Sequence, residues 1–315
     1  MRPGDLSLGI DTSNYKTSVA VTDRRGNILF DKRIFLTVKK GERGLRQSEA
    51  LFQHTNRLPD ILSEALENEN IRNNICRVCV SSRPRPVDGS YMPVFLAGIS
   101  AAKCISAALN VPLYRFSHQE GHMEAVRFYS PLSDGEPAIY FHFSGGTTEA
   151  LLQGETIKIV GGSRDLSYGQ VLDRVGVCMG LEFPCGEALD KMAVSAIETG
   201  TGHILSKIKV RDGYVNLSGI ETQAGRALRD NDPLPVVSNL FQRLSLSILE
   251  MTQQLSEKYD VKNFIYMGGV SASSYLRDFL SANMSPKINV IFGRPELSCD
   301  NAVGISLLGG KKSWR

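Results

Sequence analysis

The chain has 315 residues, 42% of them hydrophobic and 22% charged, with a formal net charge of +3. That balance is the one of a soluble globular protein, and the mildly basic charge permits an RNA or nucleotide partner without arguing for one. The length exceeds one ordinary core, so two domains are expected. No apolar run reaches the roughly 18 residues a bilayer span requires, and the opening MRPGDLSLGI lacks the apolar core of a signal peptide. The six cysteines, at 76, 79, 104, 178, 185 and 299, lie mostly in apolar stretches, as free thiols of a reducing cytoplasm would. Cys76-Arg77-Val78-Cys79 has the CxxC spacing, but neither a second such pair nor a nearby histidine pair completes a zinc site, and its alternation reads as the start of a strand.

In chain order, three β-rich segments come first, at 6–12, 17–22 and 28–36, the second and third joined by the hairpin signal Asp23-Arg24-Arg25-Gly26-Asn27. Helical spacing of Leu51, Leu58, Ile61, Leu62 and Leu66 predicts a helix over 48–68. A strand at 78–82, a helix at 93–108 and a strand at 111–116 follow, which makes an α/β domain with a partly parallel sheet. The opening pattern then recurs: strands at 138–143, 147–152 and 156–160, helices at 171–179, 187–199 and 235–258, a buried strand at 263–267, a helix at 273–282, a strand at 288–292 and a helix from Asp300. This is a duplication of structure rather than of residue identity. The expected domains are residues 1–125 with 296–315, and residues 126–295.

His118-Gln119-Glu120-Gly121-His122 places two of the five histidines four apart, on one face of a helix, where both imidazoles can reach one metal ion. Two histidines that merely share a face would give the same spacing. The HExxH peptidase signature does not fit, because Gln119 stands where it needs glutamate and Glu120 lies on another face. Three turns of small residues lie at strand ends: Gly9 to Thr17, Phe143-Ser144-Gly145-Gly146-Thr147-Thr148, and Met267-Gly268-Gly269-Val270-Ser271-Ala272. Such turns let backbone N–H groups approach an anion, although each alone is also an ordinary tight turn. Together, in both halves, they suit a nucleotide held by two duplicated α/β domains of the actin/hexokinase/Hsp70 (ASKHA) type around a nucleotide cleft. A sugar kinase of that type would not need the histidine pair.

The series HQEGH, FSGGTTEALL, YGQVLDRVGVCMGLEFPCGEALDKMA, NLSGIET, MGGVSAS and CDNAVGIS resembles, in order and spacing, the TsaD family, also called Gcp or "O-sialoglycoprotein endopeptidase". The resemblance runs from GIDTS to CDNA. It implies transfer of a threonylcarbamoyl group from its adenylate to an adenosine of tRNA, beside other tRNA-modification proteins and in a dimer or heteromer. It implies one divalent metal, iron or zinc, on His118, His122 and Asp300, with His142 as a further ligand where other members carry tyrosine. It implies ATP, AMP or an acyl-adenylate on Asp11, Ser13, Ser144, Gly145, Gly146, Thr147, Gly169, Asp173, Gly186, Glu187, Gly268, Gly269 and Ser273, with Asp173 accepting from ribose hydroxyls.

The departures from the family cluster at catalysis. Its opening reads GIETSCDET, with the last glutamate tied to activity; Lys16 stands in that place, so the charge is reversed. The AGPG loop is replaced by Ser82-Arg83-Pro84-Arg85-Pro86, whose Arg83 and Arg85 have the chemistry to read a phosphate or carboxylate, and also that of a solvated basic loop. Cys185 replaces the first glycine of a PGG turn, Ser273 the asparagine ending GGVSAN, and Glu221 the lysine of SGLKT. Three functions are consistent with this pattern. They are a carbamoyl-type transferase using Lys16, Arg83 and Arg85, a non-catalytic nucleotide-binding scaffold, and a metallopeptidase with Glu120 as its local base.

Overall fold

The protein is described by a computed structural model covering residues 4–13, 15–38, 45–87, 89–132, 135–154, 157–196 and 204–312. The chain runs β1 (Leu6–Asp11), β2 (Lys16–Thr22), β3 (Ile28–Phe35), α1 (Gln47–Glu67), α2 (Glu69–Arg72), β4 (Ile75–Arg83), α3 (Phe95–Leu109), β5 (Leu113–Ser117) and α4 (His118–Phe128). It continues through β6 (Ala138–Phe143), β7 (Thr148–Leu152), β8 (Lys158–Ser163), α5 (Tyr168–Cys178), α6 (Gly186–Ser195), β9 (Tyr214–Val215), α7 (Ser218–Asp230) and α8 (Pro233–Tyr259). Last come β10 (Asn263–Met267), α9 (Ser274–Asn283), β11 (Asn289–Phe292), α10 (Pro295–Ser298) and α11 (Val303–Lys312). Two compact units result. The first takes the described residues up to Ser130 together with the segment from Glu296, and the second takes Pro131–Pro295. Among the described residues no helix is long and apolar enough to cross a membrane.

The first unit has a five-stranded sheet of order β3-β2-β1-β4-β5, the second a six-stranded sheet of order β8-β7-β6-β10-β11 with β9 added beside β8. In each, the first three strands form an antiparallel meander and the last two run parallel to the first strand. The two sheets therefore share one topology, as the repeated sequence pattern predicts.

Period-two alternation in β1 sorts its residues between two layers. Leu6, Leu8 and Ile10 join the apolar cluster of Leu58, Ile61 and Ala102 from α1 and α3. The alternate face carries Ser7, Gly9 and Asp11 and receives α11. A Cβ on Gly9 would lie 2.5 Å from the Ala302 carbonyl oxygen, and Ser306 Oγ donates to the Ser7 carbonyl at 2.7 Å. In the second unit Ile139, Phe141 and Phe143 of β6 enter the core with Val237, Leu240, Leu244, Ile248 and Met251 of α8. The rings of Phe141, Phe143 and Tyr266 pack against one another, Phe141 at 5.2 Å from Phe143 and 5.4 Å from Tyr266 between centroids. His142 consequently points to the other face of that sheet.

Several boundaries shift for local reasons. α5 begins at Tyr168 rather than 171, because Ser167 and Gln170 form a capping box. α11 begins at Val303 rather than Asp300, because Asn301 Oδ1 accepts the Val303 N–H at 3.0 Å and leaves Asp300 in the preceding turn. The expected start of the third strand of the second meander at 156, and the end of the following 187–199 helix, lie outside the described residues. α7 has no counterpart in the sequence reading. It buries Ile220 and Ala224, one turn apart.

The start of α7 is capped from a distance. Asp165 Oδ1 accepts the N–H groups of Leu217 (2.7 Å) and Leu166 (2.6 Å), and Oδ2 accepts that of Ser218 (3.1 Å). Slight burial pushes this carboxyl up, but the donated N–H groups outweigh it, Leu217 foremost, and hold it at about 2. Because the folded-state pKa is depressed, its stabilisation is present above the ordinary carboxylate range and is lost as the pH falls from about 4 toward 2. Asp165→Ala should destabilise the second unit by about 1 kcal/mol, the usual cost of a lost N-cap. Urea unfolding at neutral pH checks this; an unchanged midpoint would refute the capping role.

Candidate functional site

The first unit carries a convergent cluster at the carboxyl end of its parallel strands. Ser117 ends β5 and caps α4. Its Oγ accepts the Glu120 N–H at 3.2 Å while Glu120 Oε2 accepts the Ser117 N–H at 2.7 Å. This fixes the first turn, so that His118 and His122 project from one face with their Nε2 atoms 3.0 Å apart. Glu120, the local base that a metallopeptidase would need, is thus occupied as the second arm of a helix cap.

Asp300 completes the cluster. Its Oδ1 lies 3.4 Å from His118 Nε2 and 3.4 Å from His122 Nε2. Close packing of α4 on α11 brings it there. A Cβ on Gly304 would fall 1.8 Å from the Gly121 carbonyl oxygen, and one on Gly121 would fall 2.8 Å from Ile305 Cδ1. Asn301 shapes the turn, its Nδ2 donating to the carbonyls of Leu297 (2.9 Å) and Cys299 (2.8 Å), and Ser18 Oγ accepts the Ala302 N–H at 2.9 Å. The sequence reading quotes Asn301 only within its motif and assigns it no part. A buried asparagine directly after a candidate ligand was the available signal.

The donor spacing fits a metal ion. An ion about 2.1 Å from two donors separates them by about 3.0 Å at a right angle and about 3.4 Å at the tetrahedral angle. The three atoms show 3.0, 3.4 and 3.4 Å. Their electrostatics are set by burial and by one another. Burial disfavours the charged form of His118, but Asp11 and then Asp300 outweigh it and raise its pKa to about 10. Burial, followed by the charge on His118, lowers that of His122. Burial alone would raise Asp300, yet hydrogen bonds from both imidazoles hold it well below the carboxylate range.

The other residues expected in this unit are placed as follows. Asp11 and Ser13, expected on the nucleotide, face protein groups: Asp11 is fully buried, and Ser13 donates to it through both N–H (3.2 Å) and Oγ (3.0 Å). Lys16 opens β2 with its Nζ 4.5 Å from the centroid of the Phe35 ring. Arg83 ends β4 in register with Ser117. The loop after it is tied to α4 by the Gln119 N–H, which donates to the Pro84 carbonyl at 3.2 Å, and the Arg85 N–H donates to Ser90 Oγ at 3.1 Å.

The second unit gathers the expected nucleotide contacts at the corresponding strand ends, where β6 and β10 run side by side with Met267 in register with His142. His142 is buried in this unit, its Nδ1 3.3 Å from Thr147 Oγ1. The Ser144–Thr147 turn is closed by the Ser144 N–H on the Thr147 carbonyl (3.0 Å), and Ser144 Oγ accepts the N–H groups of Gly146 (3.2 Å) and Thr147 (3.0 Å). Gly169 lets the first turn of α5 approach this loop: a Cβ there would meet the Ser144 carbonyl oxygen at 2.6 Å and Gly145 Cα at 2.7 Å. Gly268, at φ +90°, lies so close to the end of β6 that a Cβ would fall 2.2 Å from the Phe143 carbonyl oxygen. Around Gly146, Gly186 and Gly269 there is open space.

Asp173 Oδ1 accepts the Cys185 N–H at 2.9 Å, and a Cβ on Gly145 would lie 4.0 Å from its Oδ2. Burial raises its pKa against the effect of that N–H. Two expected contacts have other partners. Glu187 is exposed and paired with Lys191 at 2.7 Å, and Ser273 caps α9, accepting the Leu276 N–H at 3.1 Å and donating to Asp190.

A family model described as "TsaD: tRNA N6-adenosine threonylcarbamoyltransferase" matches residues 35–307. The chain belongs to the TsaD family. The tRNA N6-adenosine threonylcarbamoyltransferase of Streptococcus suis (strain 05ZYH33) is 32% identical over 317 residues, spanning 96% of this chain and 90% of its own. That of Pediococcus pentosaceus is 29% identical over 299 residues, spanning 90% and 83%. Among solved structures, the Acidaminococcus fermentans (R)-2-hydroxyglutaryl-CoA dehydratase component A superposes with a TM-score of 0.57 at 11% identity, covering 99% of this chain and all of its own; that likeness shows the ASKHA fold alone. Within this TsaD member, HQEGH and CDNA meet in the first unit, while SGGT, GQVLD and GGVSA meet in the second.

Proposed function

We propose that this TsaD member transfers a threonylcarbamoyl group from its adenylate to the N6 amine of a tRNA adenosine. The observation that carries this reading is the convergence of His118 Nε2, His122 Nε2 and Asp300 Oδ1 at 3.0 to 3.4 Å, a donor set for iron or zinc that leaves positions open. A divalent metal held there would supply Lewis acidity toward an acyl carbonyl or phosphate.

The second unit would hold the adenylate. The Ser144–Thr147 turn and Gly169 offer a close backbone approach to phosphate, Asp173 an acceptor for ribose hydroxyls, and Gly268 and Gly269 a flat surface for adenosine. In the transfer, N6 forms a bond to the carbamoyl carbon, the anhydride C–O bond breaks, AMP departs with the electron pair, and N6 loses a proton. Asp173→Asn keeps the acceptor for the Cys185 N–H and removes the charge; titration calorimetry should show AMP bound roughly tenfold more weakly. Unchanged affinity would remove Asp173 from the site.

A second reading, a nucleotide-binding scaffold without transfer activity, is favoured by one observation: Lys16 stands at the place of the family's glutamate, with its ammonium over Phe35. Mass spectrometry of tRNA nucleosides decides between the two. The chain is expressed, with its native partner proteins, in cells depleted of their own TsaD. Restored threonylcarbamoyladenosine is the expected result. A soluble, metal-loaded protein that restores none would favour the scaffold.

A further inference from the structure

We propose that Asp11 is a positioning residue for the metal: it holds the Nδ1 side of His118, so that Nε2 presents its lone pair to the ion. The inference deepens, and rests on, the metal reading of the His118–His122–Asp300 cluster.

His118 has two nitrogens with separate surroundings. Nε2 is the atom 3.0 Å from His122 Nε2 and 3.4 Å from Asp300 Oδ1, whereas Nδ1 lies 3.1 Å from Asp11 Oδ2. A neutral imidazole that donates Nδ1–H to a carboxylate has its acceptor pair on Nε2, the tautomer that a metal on that side requires. The carboxylate also raises the basicity of the ring and fixes its plane. Asp11 is itself held. It is fully buried, its Oδ1 accepts the Ser13 N–H at 3.2 Å and the Ser81 hydroxyl, and its Oδ2 accepts the Ser13 hydroxyl at 3.0 Å. Those partners come from the ends of two adjacent parallel strands. The alternation of β1 puts Asp11 on the face that carries Gly9 and receives α11, so the carboxylate is aimed by the sheet and not by a loop. The arrangement is a relay from Ser13 and Ser81 through Asp11 to His118. Asp11 also stands where the family opening GIETS has glutamate, one methylene longer, so Asp11→Glu is a natural rescue variant.

The test is Zn²⁺ affinity, measured by chelator competition on the full chain, with the absorption spectrum of the Co²⁺-loaded protein as a second readout. Asp11→Asn is expected to bind Zn²⁺ about 10- to 100-fold more weakly and to shift the Co²⁺ bands, with Asp11→Glu restoring most of both. Wild-type affinity and an unshifted spectrum in Asp11→Asn would overturn the proposal while His122→Ala still abolished binding. Equal weakening in the Asn and Glu variants would also overturn it, since that marks a fold requirement. If the unaltered protein bound neither ion, the metal reading itself would fail and this inference with it. Should Asp11→Asn not fold, Ser81→Ala removes one hydrogen bond from the same carboxylate. About threefold weaker binding is then expected, and unchanged affinity would refute the relay.

Discussion

Replacing His118 and His122 together by alanine should strip the purified protein of iron or zinc and lower threonylcarbamoyl transfer by at least about a hundredfold. The size follows from the donor count. Of the three converging atoms only Asp300 Oδ1 would remain, and a single monodentate carboxylate does not retain a transition ion against water. A hundredfold loss corresponds to about 2.7 kcal/mol of transition-state stabilisation, modest for the removal of a Lewis acid. Elemental analysis of the double variant, with transfer measured on the same sample, checks both halves. Full metal content would move the metal away from this cluster; lost metal with undiminished transfer would show that the reaction proceeds without it. Since His118 is 12% and His122 2% exposed in their side chains, circular dichroism should accompany the measurement to separate ligand loss from unfolding.

Gly304→Ala should be nearly as damaging, although residue 304 touches no ligand. Its methyl group would lie 1.8 Å from the Gly121 carbonyl oxygen and 2.7 Å from the carbonyl carbon, both backbone atoms that cannot rotate away. α11 must then move off α4. The apolar cluster of Ala20, Ala125, Leu297, Ala302, Val303 and Leu307 would open with it. Overpacking of this kind costs about 1–3 kcal/mol and more where backbone is involved. The same displacement carries Asp300 away from both imidazoles, so metal affinity and the urea midpoint should fall together. A variant with the wild-type midpoint and full metal content would show that the helices can part without disturbing the cluster. Gly310→Ala, where open space surrounds the position, is the matched control.

Much of this was legible in the residues. Leu6, Leu8 and Ile10, alternating with small or polar neighbours, announce β1, and the recurrence of the meander at Ala138 announces the second sheet. The spacing of His118 and His122 announces a shared helical face, because a period of 3.6 is a local property. What depends on register across the chain was not legible. Asp300 is distant in sequence from both histidines and was reached only through the resemblance of CDNA to a known motif. The family resemblance places Asp11 on the nucleotide; every residue of β1 is buried, so burial patterning cannot reveal that its carboxylate faces His118. The start of α7 is set by Asp165, some fifty residues earlier in the chain, because its N-cap residue Leu217 offers no side-chain cap. Ser273 and Glu187 lie in motifs that suggest ligand contacts, yet one caps α9 and the other pairs with its own helix.

The discontinuity of the first unit has a consequence for biosynthesis. Its sheet emerges from the ribosome early, but α11 is made only after the whole of the 131–295 unit. Until then the Gly9 face of β1 lacks its cover, and the histidine pair lacks Asp300. The second unit is continuous in sequence and can complete its core while translation is still under way. A site built from all three donors therefore awaits synthesis of α11, and the nascent protein passes through a stage in which one half is folded and the other waits for that helix.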